Sequence, residues 1–498
     1  MGSLAADTYY PDASDRALIL THPTAAEMER TWSLNHGEWG GPLDLPAYLG
    51  REKFLASTPL AANGGMLHWI LTDAEAHDQD EKRRVLASCE TIRKRVLYVP
   101  GAGDEVREGL SYGIGSVYTY PEFRGKKYAA RMLKELGAAL KTQPAEDEEQ
   151  LRETHSQVGG EYHVDCSRTA ADAGSGANGG HDKGPRKAEA VCSALWSDIG
   201  KKFYASKGWP VFASEHVEFS STASSPYPPG IPSLLERSEQ PHGASLTLVP
   251  VNTSNLTELC QRDEAQLRED LLQSKRETGR TTFAFAPDHE VFRWHWAREE
   301  FIVSRVFPGR QASEVRGMIA TVSSTSMTNA VPNGGAANRD KDGAGRGEDE
   351  RKTRMWAIWM RNYGEDAASN PAKNTLYILR LVIDNTPTTT SNENGNPLPP
   401  PDPKAMQLAF DAIMHSAIDA ARAWHCGSVH LWNPTPVVRG LIAGSGLAHK
   451  LVDREVDSIP SMRWYVSDNG VGSEDGETGK GKGREVVDWV ANEKYCWC

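Results

Sequence analysis

The chain has 498 residues, more than one ordinary hydrophobic core accommodates, so two domains are expected. Its formal net charge of −12 argues against a protein that tracks nucleic-acid phosphates and fits a soluble one. No run approaches the roughly 20 apolar residues of a membrane span, and seven cysteines without an apolar leader or zinc-type spacing read as reduced thiols of a cytoplasmic protein without a metal.

Four stretches poor in large apolar residues, 143–190, 323–352, 385–404 and 467–484, read as inserted loops. The Pro-rich segment Pro226-Tyr227-Pro228-Pro229-Gly230-Ile231-Pro232 reads as a linker. The expected division is therefore a domain at 1–225, a linker at 226–242 and a second domain at 243–498.

In chain order, Glu27–Leu34 and Pro46–Leu55 carry short helical patterns. Met66–Thr72 and Arg84–Val99 have the β-branched and aromatic content of strands, joined by an acidic loop at 73–82. Ser111–Tyr118 reads as a strand that feeds a helix from Arg124 to Lys141 through a short turn; Ala129, Met132, Leu133, Leu136 and Leu140 fall at helical spacing there. In the second half the predicted strands are Ser245–Val251, Val315–Val322, Met355–Arg361, Thr375–Ile383 and Ser428–Trp432, with a helix at Lys404–Trp424. Its stripe of Phe410, Ile413, Met414, Ala417, Ala421 and Trp424 reads as core. Strands alternating with helices in both halves make this an α/β protein with mixed sheets.

The chemistry concentrates where the strand ending Val117-Tyr118-Thr119 meets Arg124-Gly125-Lys126-Lys127-Tyr128-Ala129 at a helix start. Unpaired N–H groups and the positive end of the helix dipole converge there, Gly125 lets a ligand approach the backbone, and Arg124, Lys126 and Lys127 add positive charge. Such a turn binds an anion. Its spacing resembles motif A of the GNAT superfamily, in which a splayed strand holds the pantetheine arm of acetyl-CoA and a turn written (Q/R)xxGx(G/A) cradles the pyrophosphate. Arg124 and Ala129 match the ends of that turn, whereas Lys127 stands where the pattern has glycine.

Further on, Ser197-Asp198-Ile199-Gly200-Lys201-Lys202-Phe203-Tyr204, followed by Gly208-Trp209, resembles GNAT motif B. The resemblance implies Ser197 beside the pantetheine and Tyr204, close to the cofactor's sulfur, as the acid that protonates the departing thiolate. It further implies that a backbone N–H in Val117–Thr119 meets the developing oxyanion. An ammonium with a reference pKa near 10.4 must lose a proton before it attacks a thioester, and by residue type His216, Glu122 and Glu38 are the candidate bases.

Over nearly its full length outside the insertions, the chain resembles the fungal lysine N-acetyltransferase family. The carriers include Arg84–Thr91 (RVLASCET), Gly115–Ala129 (GSVYTYPEFRGKKYA), Leu195–Tyr204 (LWSDIGKKFY), Phe292–Phe301 (FRWHWAREEF), Trp356–Trp359 (WAIW), Leu376–Val382 (LYILRLV), Leu431–Pro434 (LWNP) and Asn492–Cys498 (NEKYCWC). The resemblance implies a GNAT domain followed by a second GNAT-like domain, with free L-lysine acetylated at its ε-amine in lysine catabolism. Other primary amines, such as polyamines, xenobiotic amines or protein lysines, and a CoA-binding pair without turnover, are the alternatives. The second half has no (Q/R)xxGx(G/A) turn and is expected to shape the amine pocket, with Arg298 or Arg380 as a carboxylate ligand and Phe292-Arg293-Trp294-His295-Trp296 as core or substrate wall.

Overall fold

The computed structural model describes residues 10–74, 83–142, 190–221, 245–325, 350–384, 402–466 and 486–497. The linker at 226–242, the insertion at 467–484, and all but the margins of the other three insertions and of the acidic loop lie outside them.

The strands are β1 (Leu18–Thr21), β2 (Met66–Asp73), β3 (Ala87–Val99), β4 (Arg107–Thr119), β5 (Ala190–Ser197), β6 (Glu215–Ser220), β7 (Ser245–Val251), β8 (Thr281–Phe285), β9 (Gly317–Thr325), β10 (Glu350–Asn362), β11 (Thr375–Asp384), β12 (Ser428–Trp432), β13 (His449–Asp453), β14 (Ile459–Trp464) and β15 (Val487–Trp489). The helices are α1 (Ala25–Trp39), α2 (Leu45–Ala56), α3 (Tyr128–Thr142), α4 (Leu256–Thr278), α5 (His289–Val306), α6 (Pro403–Ala423) and α7 (Pro436–Gly444).

Local chemistry starts the helices around the site. Thr24 and Glu27 form a reciprocal capping box at the head of α1, and Asp44 caps α2 with Pro46 in its first turn. Glu27 is also held by Arg83, 2.5 Å away, in a buried ion pair. On α3, Met132, Leu133, Leu136 and Leu140 are all fully buried, as their spacing predicts. Each contributes about 2 kcal/mol of apolar burial, which makes α3 the main cover of its sheet.

Contacts divide the chain into two compact units that are not its two halves in order. The first comprises Met1–Glu215, Leu267–Ala312 and Asp453–Cys498, the second His216–Gln266 and Ser313–Val452. In the first, β1-β2-β3-β4 run antiparallel, β5 joins β4 in parallel, and β14 pairs antiparallel with β5. In the second, β7-β9-β10-β11 run antiparallel, β12 joins β11 in parallel after α6, and β6 pairs antiparallel with β12.

The two sheets thus repeat one plan with a strand exchanged. The strand after β5 in the chain, β6, belongs to the second sheet, while the strand that completes the first, β14, arrives from beyond Val452. The first unit also takes β8, α5 and β15 from the second half of the sequence.

Candidate active site

The strand β4 changes character at Gly115. Up to Ile114 it pairs with β5 on one side, ending at Ile114–Leu195, and with β3 on the other. Beyond that point it keeps its β3 partner as far as Thr119 and, among the described residues, has no ladder partner on the β5 side. One extra residue is accommodated where the register shifts between Ser88 and Glu90, and Ser116 adopts φ 50°, a left-handed conformation that bends the strand. The sheet therefore opens between β4 and β5.

A cavity of about 790 Å³ in the first unit occupies this opening. Gly115–Thr119 and Leu195–Trp196 form the walls where the strands diverge, and Arg124, Ala129 and Tyr204 border them. A neighbouring cavity of about 440 Å³ lies on the helix start and is lined by Thr119, Arg124, Gly125, Lys127, Tyr128 and Ala129. Gly125 has φ 79°, with nothing within 4 Å of where a Cβ would point, and Lys127 has φ 66°. Lys127 thus occupies a left-handed position that glycine fills without strain, which is the physical reason the motif-A pattern has glycine there.

The other predicted residues divide. Val117, Tyr118, Thr119, Arg124 and Tyr204 border the larger cavity. Lys126 borders neither, its ammonium lying 4.6 Å from the Tyr10 ring centre. Ser197 does not line the cavity either: its hydroxyl donates to Gly200 O (2.7 Å) and accepts from Ile199 N (3.3 Å), holding the turn. Tyr204 is not on an α-helix, because Gly200 and Gly208 take positive φ and leave turns with a short 3-10 segment at Ala205–Lys207. Burial, with the charge of Asp198, pushes the Tyr204 phenol up and keeps it protonated.

Among the candidate bases, Glu38 lines the cavity and pairs loosely with Arg124 at 3.7 Å. Glu122 is exposed and outside it, and His216 stacks on His430 in the second unit. Two carboxylates that the sequence did not single out line the inner end. Glu90 accepts from Trp32 Nε1 (3.0 Å), His68 Nδ1 (3.2 Å) and Ser116 Oγ (2.9 Å). Burial pushes its carboxyl up, but His68, Trp32 and Ser116 outweigh that and hold it below the usual range. Glu52 receives both Nε (2.8 Å) and Nη2 (2.5 Å) of Arg51 on Oε1, yet burial and the charge of Glu90 push its carboxyl up.

Of the two arginines expected to hold a carboxylate, Arg298 lines this cavity. Arg380 is committed elsewhere, to a buried 2.6 Å pair with Asp263 in the second unit. Trp294, one turn before Arg298 on α5, also lines the cavity, with Trp497 and Tyr48. Most of the aromatic run around it is core, since Phe292, His295 and Trp296 are buried. Three buried polar groups in the walls, the Thr119 hydroxyl and the indole N–H groups of Trp196 and Trp294, have no hydrogen-bond partner among the described residues.

The family described as the LYC1 GNAT-like C-terminal domain matches residues 233–498, more than half of the chain. The chain belongs to this LYC1 GNAT-like family. The mixed α/β sheets described above agree with that GNAT-like description. The chain is 23% identical over 325 residues to an uncharacterized protein of Saccharomyces cerevisiae, covering 61% of this chain and 68% of that one. It is 32% identical over 119 residues to a lysine acetyltransferase of Yarrowia lipolytica, covering 24% of this chain and 28% of that protein. A solved Enterococcus faecalis protein described as a probable N-acyltransferase aligns with a TM-score of 0.42 at 12% identity, covering 90% of this chain and 72% of that one. No helix among the described residues is long and apolar enough to cross a membrane.

Proposed function

We propose that the protein transfers an acetyl group from acetyl-CoA to the ε-amine of free L-lysine, as a step of lysine catabolism. The observation that carries this reading is one cavity that joins the open β4/β5 edge to two half-buried carboxylates with opposite shifts and to Arg298. The open edge, the unpartnered Thr119 hydroxyl and the left-handed turn at Gly125–Lys127 fit a pantetheine arm and its pyrophosphate.

Acetyl-CoA supplies the activated thioester. Glu90, held ionised by three donors, attracts the substrate ammonium into the cavity. Glu52, with its raised carboxyl, accepts the proton that the ammonium must lose, since a base titrating closer to the working pH is the more effective one. A backbone N–H of Val117–Thr119 meets the negative charge that develops on the carbonyl oxygen during amine attack. Tyr204 gives its proton to the leaving sulfur. The balance is an ammonium and a thioester converted to an amide, a thiol and one proton released to water. Arg298 and the Trp294 N–H, on one face of α5, would hold the α-carboxylate of the amino acid.

The test is thiol release by the purified protein from acetyl-CoA with free lysine, polyamines, xenobiotic amines and lysine peptides. Free lysine should turn over fastest, Tyr204→Phe should lower kcat, and Arg124→Ala should raise the KM for acetyl-CoA. Turnover of polyamines or peptides without lysine would overturn the substrate, and no thiol release with any amine would favour CoA binding without turnover.

A further inference from the structure

Outside the cavity, the second unit brings together three ligand-type side chains that are far apart in sequence. His216, Glu218 and His430 each offer a donor atom, and these atoms all lie within 4.8 Å of one another. The sheet explains why. In the antiparallel register of β6 and β12, His430 lies opposite Glu218, and His216 sits two residues along, opposite Trp432. Residues so placed project from the same face. The imidazoles stack at 4.4 Å with an interplanar angle of 23°. Ser428 Oγ lies 3.1 Å from His430 Nε2, and the Tyr377 ring meets the His430 ring edge to face at 5.4 Å, so that the imidazole is oriented from two sides.

We propose that His216, Glu218 and His430 form a zinc site. Two imidazoles and one carboxylate make a donor set of intermediate softness, suited to Zn²⁺ and poorly matched to Mg²⁺ or Ca²⁺, which take oxygen cages. A tetrahedral ion with bonds of about 2.0–2.1 Å holds its donors about 3.4 Å apart, so side-chain rotations of roughly an ångström close the site. The fourth position takes water. The hydrogen bond between His430 and Ser428 resembles the outer contacts that orient metal-bound imidazoles. Two neutral imidazoles and one carboxylate leave a single positive charge on the occupied site. The ion would pin β6 to β12 through side chains as well as backbone. This strand gains most from such a tie, because its chain neighbour β5 belongs to the other sheet. The consequence is an acetyltransferase stabilised by zinc in a unit separate from its chemistry.

The full chain, stripped with a chelator and exchanged into metal-free buffer, is titrated with Zn²⁺ by calorimetry, and its thermal unfolding is measured with and without the metal. The expected result is a saturable site of micromolar or tighter affinity and a Tm raised by several degrees. His430→Asn and Glu218→Gln should each weaken binding at least tenfold and remove the Tm gain, with unchanged circular dichroism. His449→Asn, at an exposed position on the neighbouring β13, should leave both intact. Co²⁺ should give the visible bands of a four-coordinate site in the wild type and lose them in Glu218→Gln. Absence of binding at 100-fold excess Zn²⁺, or binding undiminished in both variants, would overturn the proposal and leave a stacked histidine pair.

Discussion

Replacing Lys127 with glycine separates the conformational role of the pyrophosphate turn from its chemical one. The left-handed conformation at φ 66° costs a side-chain-bearing residue about 1–2 kcal/mol. Glycine removes that cost but adds about 0.4–1 kcal/mol of unfolded-chain entropy, so Lys127→Gly should stabilise the protein by roughly 0.5–1 kcal/mol. For a unit of this size that is a Tm increase of about 2 °C. The side chain is exposed at the cavity lined by the turn. If its ammonium reaches a phosphate, the same substitution removes a charge-assisted hydrogen bond of about 1.5–3 kcal/mol, a loss of roughly 10- to 150-fold in CoA affinity. Thermal unfolding and CoA calorimetry on the same preparation read the two effects independently. A Tm that falls would refute the backbone argument, and an unchanged CoA affinity would remove Lys127 from the phosphate site.

Glu52→Gln should lower kcat by about 10²–10⁴ with little change in KM for acetyl-CoA, and should abolish the acid limb of the pH profile, which in the wild type lies above the ordinary 4.5 because the Glu52 carboxyl is raised; an unaltered profile would assign the base elsewhere. Glu27→Gln leaves Arg83 without its buried partner and should cost about 3 kcal/mol in urea unfolding. Despite burial, Arg83 and Thr24 hold the Glu27 carboxyl below 4.5, so that its contribution is present above 4.5 and lost as pH falls through the lowered value; a loss that appears instead as pH rises would contradict the sign. A chain ending at Ser221 lacks β8, α5, β14 and β15 and should show no cooperative melt and no acetylation, whereas a cooperative, active fragment would mean that the interleaved segments are dispensable.

The sequence exposed those features whose cause is local. Helix α3 announced itself because Met132, Leu133, Leu136 and Leu140 repeat with the helical period, and β12 matched residue for residue because turn formers bracket Ser428–Trp432. The turn at Arg124–Ala129 was legible from its glycine and its charges, and the structure added why Lys127 is the irregular member. Tyr204 reached the cavity on a turn between two positive-φ glycines, Gly200 and Gly208. Glu90 and Glu52 carried no chemical signal, although Glu90 lies in the family-like run Arg84–Thr91. One sits in a strand and the other on a charged helix, and only the pairing of β3 with β4 and the placement of α2 bring them to one cavity. Arg380 had the right chemistry, but Asp263, remote in sequence, had already claimed it. The alternating order of strands and helices could not reveal the exchange of β6 and β14, because either strand satisfies either sheet edge by local pattern alone.

That exchange bears on how the cavity is closed. The segments that open the sheet, β4 and β5, come from the first half, whereas Trp294, Arg298 and Trp497 come from beyond β8. Trp294 shares one apolar cluster with Leu55, Met66 and Ile92, which ties α5 to the helix that carries Glu52 and to the strands beside Glu90. A shift of α5 would therefore move the proposed carboxylate ligands and the proposed base together. Their spacing is set by this shared packing. Under the proposed function, it would make the distance between the amino acid's α-carboxylate and its reacting amine a property of the fold, a physical basis on which lysine would be selected over shorter amines.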